Sequence, residues 1–238
     1  AFGMEPEDFL GEDIAADGFT FTVDEEMVGH LRPGIEWVRE RPGRLVTEQR
    51  VDLSRWMPGQ FGTLDVGIIG RDEIVIWDLK YGAGVAVEAE GNEPTMAYAL
   101  GFWENIARHE TDATDFLLVI YQPRHEAGGG EVRITLQELL EWGENVLTPG
   151  FEAANAEDAP LVPGEKQCQF CAVKSECPAL AAWSAAHFDA VLDDLDDPGG
   201  EPLTLADMEA MTPERRAAVA ANRSLIEAWL KAVHARVL

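Results

Sequence analysis

The chain has 238 residues, and 46% of them are hydrophobic, so its composition supports a packed core and excludes global disorder. It carries 44 acidic and 18 basic residues, and the resulting net charge of −26 excludes a broadly basic surface for nucleic acid. No apolar run approaches the length of a membrane span and no signal peptide is evident, so we expect a soluble, cytoplasmic protein without a membrane partner.

The first part of the chain predicts a helix followed by a strand. Residues 23–40 have apolar side chains at helical spacing, with Asp24 as the N-cap and an interruption expected near Pro33 and Gly34. Residues 44–53 alternate and contain enough β-branched side chains for a strand. The residues before this helix are acidic and show no clear period.

Residues 62–79 predict a β-hairpin with a two-residue tip at 71–72. With this tip, Asp65 lies directly opposite Asp78, and the alternation of side chains places Lys80 on the same face. A change of one residue in the turn would separate the two carboxylates. The register assigns these apolar side chains to the opposite face: Leu64, Val66, Ile68, Val75, Trp77 and Leu79.

The two opposed carboxylates of this hairpin need an explanation, because like charges directly across a sheet are destabilising. A divalent cation relieves the repulsion, and oxygen ligands suit Mg²⁺ or Mn²⁺. Lys80 would then orient or help deprotonate an attacking water, or stabilise charge on a phosphate. The alternative is a structural ion-pair cluster formed by the same three side chains.

The second part of the chain predicts two further helices and a buried strand. Residues 92–109 predict a helix, 114–124 a strand and 128–130 a glycine-rich turn. A helix follows over 134–147, with Thr135 as a candidate cap. This order of elements predicts an α/β or α+β fold in which helices cover a central sheet.

The motifs "GTLD" (62–65) and "WDLKYG" (77–82) resemble the motif pair of RecB-like PD-(D/E)XK nucleases. The wider pattern, from about residue 20 to the C-terminus, resembles a RecB-like family encoded by phages and prophages and long catalogued as a domain of unknown function. This resemblance implies a restriction-endonuclease-like fold, with a central mixed sheet flanked by helices. It makes Asp65, Asp78 and Lys80 the catalytic core, with the backbone carbonyl of Leu79 as a further metal ligand.

The resemblance also implies a function. We expect a Mg²⁺- or Mn²⁺-dependent deoxyribonuclease, an exonuclease or end-processing enzyme of phage replication or recombination, in the cytoplasm of a bacterial host. Its partners would be single-stranded DNA or duplex ends and a phage recombination or replication protein. The alternative is a catalytically impaired RecB-like fold that acts as a DNA-processing scaffold or as an acidic partner-binding protein.

The chain departs from the RecB-like pattern in two places. Tyr98 stands where the family has the tyrosine of a Q-x-x-x-Y helix, but Pro94 stands where the glutamine is expected. The upstream acidic metal ligand and an early cysteine are missing, which is consistent with a natural N-terminus further upstream. Glu48 is an alternative ligand, as are the acidic residues of the first helix. Trp56 and Phe61 precede the site and are weaker candidates for stacking on a base, and we expect packing to be the main role of both rings. Tyr98 is a weak candidate for contacting substrate.

Cys168, Cys171 and Cys177 lie close together in a chain that has three cysteines, a pattern that indicates a metal or cluster lobe instead of a disulfide framework. They resemble three of the four ligands of the [4Fe–4S] cluster in RecB-like cluster exonucleases, whose fourth ligand comes from the N-terminus. Zinc with His187 as fourth ligand is the metal alternative. A lobe of reduced thiols is the third.

These patterns predict three parts of the chain. We expect a nuclease core over residues 1–160 and a cysteine lobe over residues 161–190. Residues 191–238 would form the acidic linker and a C-terminal helix, with Thr212 as the N-cap of that helix.

Overall fold

The structure is a computed structural model that describes residues 3–16, 18–184 and 227–236. The chain forms two compact units, residues 1–156 and residues 157–238. No helix in the described ranges is both long enough and apolar enough to cross a membrane.

The described residues of the first unit form two sheets and four α-helices. Its strands are β1 (Asp13–Ala16), β2 (Phe19–Thr22), β3 (Arg44–Asp52), β4 (Phe61–Ile69), β5 (Glu73–Leu79), β6 (Asp115–Tyr121) and β7 (Gly130–Thr135). Its helices are α1 (Glu25–Arg39), α2 (Glu93–Asn105), α3 (Leu136–Trp142) and α4 (Thr148–Ala154).

The larger sheet has five strands in the order β3-β4-β5-β6-β7. Its strand pairs are antiparallel except for β5 and β6, which are parallel and connected through α2. Parallel neighbours end at the same edge of a sheet. The carboxyl ends of β5 and β6 therefore lie side by side, next to the beginning of the antiparallel strand β4. The other sheet pairs β1 with β2.

Each face of the five-stranded sheet packs against a helix. Side chains of β5 alternate: Ile74 and Ile76 pack with α2 residues such as Phe102, while Val75 and Trp77 pack with α1. All of these side chains are buried, so the sheet is apolar on both faces, as expected for a strand pair connected through a helix. The α/β fold with helices on a mixed sheet is confirmed.

The helix predicted over residues 23–40 exists, but the break expected at Pro33 and Gly34 was wrong. Asp24 is the N-cap, because its carboxylate accepts a hydrogen bond from the Met27 N–H at 2.8 Å. α1 continues through Pro33. Gly34 is buried, and a β-carbon there would lie 2.6 Å from the Tyr121 ring, so the helix packs directly on the sheet at this point. This close packing compensates for the backbone hydrogen bond that proline removes.

Other predicted elements differ mainly at their ends. The helix expected over 134–147 starts at the predicted Thr135 cap, but it divides into α3, a π-helical turn over Gly143–Leu147 and α4. Strand β7 was missed because only Val132 and Ile134 of its side chains pack on the core. The pair β1–β2 was missed because both strands are four residues long and their described side chains are exposed, although Phe19–Thr22 alternates apolar and polar residues.

The second unit is described only in part. Helix α5 (Glu165–Gln169) carries Cys168, and helical residues 178–184 and 227–236 follow. Cys168 and Leu180 are buried together, with Trp229 packed against them. The predicted acidic linker and the Thr212 cap lie outside the described residues.

Candidate active site

The predicted register of the central hairpin is confirmed. Strands β4 and β5 pair from Ile69 opposite Ile74 to Val66 opposite Trp77, and the turn between them is closed by a Gly70 N–H to Glu73 C=O bond of 3.1 Å. The ladder ends there, one pair before Asp65 and Asp78. The two carboxylates therefore lie where β4 and β5 separate.

Where the β4–β5 pairing ends, the side chain of Asp65 replaces a backbone carbonyl as the acceptor for a backbone N–H of β5. Its Oδ2 atom accepts a hydrogen bond of 2.7 Å from the backbone N–H of Leu79, and the side chain is half-buried. Buried backbone N–H groups need an acceptor, so this bond holds the carboxylate beside the end of β5. A single residue thus terminates the strand pairing and delivers a negative charge to the site.

Asp78 is a buried carboxylate with one cationic partner. The residue is 3% exposed, and its buried Oδ2 atom contacts the ammonium group of Lys80 as an ion pair. No other partner of this oxygen is present among the described residues. Burial raises the pKa of Asp78, the charge of Lys80 lowers it, and the neighbouring charge of Asp65 raises it further. The charge of Asp65 acts on Asp78 from the next position along β4 beyond the last paired residues, Val66 and Trp77.

The backbone is irregular beside this pair of carboxylates. The β3–β4 ladder pairs the residues on both sides of Glu48 and Asp65, but not these two residues themselves. Glu48 is exposed and has a φ of 49°, which is unusual for a residue other than glycine. Leu64 consequently packs on the α2 side of the sheet, so its predicted grouping with Val66 was wrong. Glu48 thus lies on β3, beside the part of β4 that carries Asp65.

The donors present fit a small hard cation. Mg²⁺ is commonly held by one or two carboxylates, with water and substrate phosphate completing its shell. Asp65 and Asp78 meet that requirement, and the buried oxygen of Asp78 has a partner only in Lys80 within the described ranges. No group of three or more His, Cys, Asp or Glu side chains suited to a metal ion occurs in the described part of the chain. Any cation here would depend on two carboxylates together with backbone, water or substrate oxygens.

Gln122 is a buried residue of this region that the sequence analysis missed. It follows β6, is 5% exposed, and its Nε2 donates to the carbonyls of Gly82 and Val85 at 2.8 Å each. Its Oε1 accepts from the Val87 N–H at 2.8 Å. These three bonds hold the loop after Lys80 against the end of β6. A polar residue directly after a buried strand, in "YQPR", was the available sequence signal.

A second set of contacts ties α1 to the same edge of the sheet. The Tyr121 hydroxyl donates to the His30 carbonyl at 2.7 Å, and the His30 ring forms a hydrogen bond of 3.2 Å with the Tyr81 hydroxyl. Arg124 lies over the Tyr81 ring at 5.0 Å. Tyr81 directly follows Lys80, so these contacts fix the backbone next to the candidate site.

Three aromatic residues named from the sequence have different environments. Trp56 is 1% exposed and packs against Gly143, as expected for a core residue, and the weaker candidate role in base stacking does not hold because a buried ring offers no face to a base. Tyr98 is half-buried on α2, and its ring packs over Gly62 at the start of β4. Pro94 lies in the first turn of α2, after the Asn92 cap, and supplies no amide side chain. Phe61 is 55% exposed.

The three cysteines lie in one small region of the second unit. Cys168 is buried, Cys171 and Cys177 are half-buried, and all three are free thiols. The Leu180 N–H donates to the Cys177 Sγ at 3.5 Å. The described residues do not bring the three thiols into a metal-binding group, and His187 lies outside those residues.

Comparison with known proteins identifies the family and gives one structural neighbour. A crystal structure of SSO0001 is 16% identical, in an alignment that covers 65% of this chain and 71% of that chain, with a TM-score of 0.29. A TM-score this low carries no argument about fold or function. Residues 19–238 match the family described as protein of unknown function (DUF2800), and because this match spans most of the chain, the protein belongs to that family.

Proposed function

We propose that this protein is a Mg²⁺- or Mn²⁺-dependent deoxyribonuclease with a RecB-like, restriction-endonuclease-like fold. One observation carries the proposal. Asp65, bonded to the Leu79 N–H, and Asp78, paired with Lys80, meet at the point where β4 and β5 separate. Two carboxylates that can hold a divalent cation, with an ammonium group beside them, suit metal-assisted phosphodiester hydrolysis.

Each residue of this set has a distinct task in the proposed reaction. Asp65, Asp78 and the Leu79 carbonyl hold the cation, and Glu48 is a further candidate ligand. When bound, the cation supplies positive charge at the scissile phosphate and makes water a better nucleophile. The Nζ of Lys80 donates a hydrogen bond to the attacking water or to a phosphate oxygen. Asp78 keeps that ammonium group at the strand end through their ion pair.

The proposed substrate is DNA with single-stranded segments or duplex ends, and the proposed setting is phage or prophage recombination or replication in a bacterial cytoplasm. The net charge of −26 opposes DNA binding in general. Contact with DNA must therefore be concentrated at the edge of the sheet that carries Lys80. Exonucleolytic or end-processing activity agrees with a small, local contact area.

The cysteine lobe is proposed to bind a [4Fe–4S] cluster in the intact protein, with zinc as the alternative. Such clusters are normally held by four thiolates, and the chain has three cysteines. A fourth ligand must come from elsewhere. Metal analysis and the visible absorbance of anaerobically purified protein separate iron–sulfur from zinc, and a metal-free lobe would contradict both assignments.

The alternative function is a RecB-like scaffold with an impaired nuclease site. The observation that favours it is Pro94, which opens α2 at the position where the resemblance expects a glutamine. A proline has no side-chain amide with which to contact the site or DNA. In that case the protein would bind DNA or a basic partner without cleaving it.

Digestion of linear single-stranded and duplex DNA tests the nuclease proposal. We expect cleavage by the wild type with Mg²⁺ or Mn²⁺, and a loss of about 10²-fold or more in Lys80→Ala, because a positioned proton donor contributes on that order. Lys231→Ala, at an exposed lysine of the helical segment 227–236, is the matched control and should cleave normally. Absence of cleavage by the metal-loaded natural protein, or normal cleavage by Lys80→Ala, would contradict the proposal.

A further inference from the structure

A buried glutamine amide lies next to the strand end that carries Lys80. Gln122 is 5% exposed, and its Nε2 donates to the carbonyls of Gly82 and Val85 at 2.8 Å each. Its Oε1 accepts from the Val87 N–H at 2.8 Å. A buried amide costs free energy unless its donors and acceptor are bonded, and all three bonds here go to one loop. Gln122 therefore serves the loop that directly follows Lys80.

Gln122 and Lys80 share a face of the sheet and are neighbours across its strands. Leu118 of β6 packs on the α2 side, as the even-numbered residues of β5 do, so alternation places Gln122, Asp78 and Lys80 on that side as well. The parallel pairing of β5 with β6 continues one position past the end of β5, because the Lys80 N–H donates to the Tyr121 carbonyl at 2.9 Å. Gln122 is consequently the residue beside Lys80 in this register.

The loop after Lys80 has little packing of its own. Residues 82–86 are exposed. Val87 provides a second attachment, because its carbonyl accepts from the Gly129 N–H at 2.7 Å. A β-carbon at Gly128 would overlap the amide oxygen of Gln122, so the turn between β6 and β7 packs directly against this amide. Hydrogen bonds, and not apolar contacts, therefore fix the position of the loop.

We propose that Gln122 is a positioning residue that holds the ammonium group of Lys80 at the candidate active site. The Lys80 side chain is 38% exposed and contacts the buried carboxylate of Asp78, so packing alone does not fix it. Its backbone is held on one side by the Tyr121 carbonyl and on the other by the loop that Gln122 binds. The amide acts through Lys80 and does not touch the substrate. The inference rests on the proposed nuclease function and adds a residue to its machinery.

Steady-state cleavage of a linear single-stranded oligonucleotide with Mg²⁺ or Mn²⁺ tests the role of Gln122. We expect Gln122→Met, which keeps the length of the side chain without its amide, to lower kcat about tenfold, because small displacements of a reacting group cost at least this much. The KM should stay within about twofold of the wild-type value, since binding of the substrate does not use the amide. In the Lys80→Ala background, Gln122→Met should cause a further loss of less than about twofold, because the two residues act as one unit.

Gly128→Ala is a second variant, and it leaves Gln122 in place. Its β-carbon should displace the amide, so we expect the same fall in kcat and the same absence of a further loss in Lys80→Ala. Gln137→Met is the matched control, because Gln137 is exposed on α3 and its amide bonds with Glu141 at 2.9 Å. This control should cleave as the wild type does. Each variant is assayed well below its own Tm, so that unfolding does not contribute to the loss.

The reactivity of Lys80 toward acetic anhydride provides a readout that needs no cleavage. Mass spectrometry of the digested protein gives the acylation rate of each lysine. We expect Lys80 to react several-fold faster in Gln122→Met and in Gly128→Ala, because its amino group is then held less firmly beside Asp78. The rate of Lys231, an exposed lysine of the helical segment 227–236, should be unchanged.

The results separate this inference from the nuclease proposal. Absence of cleavage by the wild type would contradict the nuclease, but faster acylation of Lys80 in both variants would still establish the positioning role. Unchanged acylation in both variants would overturn the role of Gln122 even if DNA is cleaved. An additive loss of kcat in the Lys80→Ala background would also overturn it, because Gln122 would then act by a route other than Lys80.

Discussion

Asp65 has two separable roles at the scale of a single residue. Its carboxylate satisfies the backbone N–H of Leu79 by accepting a hydrogen bond from it, and its negative charge acts on Asp78. A structural ion-pair cluster would need only the first role, while metal-assisted chemistry needs the charge as well. An uncharged hydrogen-bond acceptor at position 65 therefore distinguishes the two hypotheses. It would preserve a structural cluster, but it would abolish metal-assisted cleavage.

We predict that Asp65→Asn and Asp65→Ala both abolish metal-dependent cleavage but differ in stability. The asparagine oxygen can still accept from Leu79, so the free energy of unfolding in urea should stay close to that of the wild type. Alanine leaves a backbone N–H without its partner and should lower the free energy of unfolding by about 1–3 kcal/mol.

Asp72→Asn and Asp72→Ala, at the exposed hairpin tip, are the controls for this comparison. Both should cleave and unfold like the wild type. Cleavage by Asp65→Asn at the wild-type rate would mean that the charge of Asp65 is not used, and equal stability of all Asp65 variants would show that the hydrogen bond contributes little.

At the scale of elements, the start of α3 illustrates how a short pattern determines a local structure. Thr135 caps the helix by accepting from the Glu138 N–H, and the Glu138 carboxylate accepts from the Thr135 N–H at 2.8 Å. These bonds from Thr135 lower the pKa of Glu138. The four-residue pattern from Thr135 to Glu138 specifies both bonds, which is why the helix start was predictable from the sequence.

The lowered pKa of Glu138 predicts a pH dependence with a definite sign. The ionised carboxylate binds fewer protons in the folded state, so its contribution to stability is present above the ordinary pKa of a glutamate and is lost as the pH falls through the folded-state value. Glu138→Gln should therefore be less stable than the wild type at neutral pH, and this difference should vanish in acid. Urea unfolding across the acidic range measures it.

Glu152→Gln, at an exposed position of α4, is the control for the titration of Glu138. It should follow the wild type at every pH. A difference between Glu138→Gln and wild type that grows as the pH falls would contradict the assignment of the shift to the capping bonds.

Elements with few side chains packed on the core were harder to predict from the sequence than the capped helices. Strand β7 pairs along its whole length with β6, but it packs only two apolar side chains on the core. Its position is set by backbone hydrogen bonds to β6. Such bonds do not depend on the side chains of β7, so its sequence shows little apolar periodicity. The continuous helix through Pro33 is similar, since the packing of Gly34 against Tyr121 outweighs a local preference to break.

At the scale of the whole molecule, the excess of acidic over basic residues opposes compaction. Charges of one sign repel throughout the chain, and only some of the carboxylates are paired within the described residues. Monovalent salt screens such repulsion over distances of about 10 Å at 0.1 M. We predict that the Tm rises as salt is added from very low ionic strength to the physiological range.

Thermal unfolding in sodium chloride and in potassium chloride tests the effect of the charge. The two salts should give the same rise, because screening depends on ionic strength and not on a specific ion. A Tm that falls over this range would show that favourable ion pairs dominate the electrostatic free energy. A rise with one cation alone would show specific binding.

The sequence by itself determined the hairpin register and its two-residue tip, because strand alternation next to a short turn and the length of that turn are local properties. It also determined the helix caps at Asp24 and Thr135. The tertiary structure alone decided that Gln122 holds the loop after Lys80, that Trp56 is buried, and that Phe61 is exposed on Arg50. These features depend on which distant segments meet at the edge of the sheet, and burial is a property of the packed chain that no residue specifies alone.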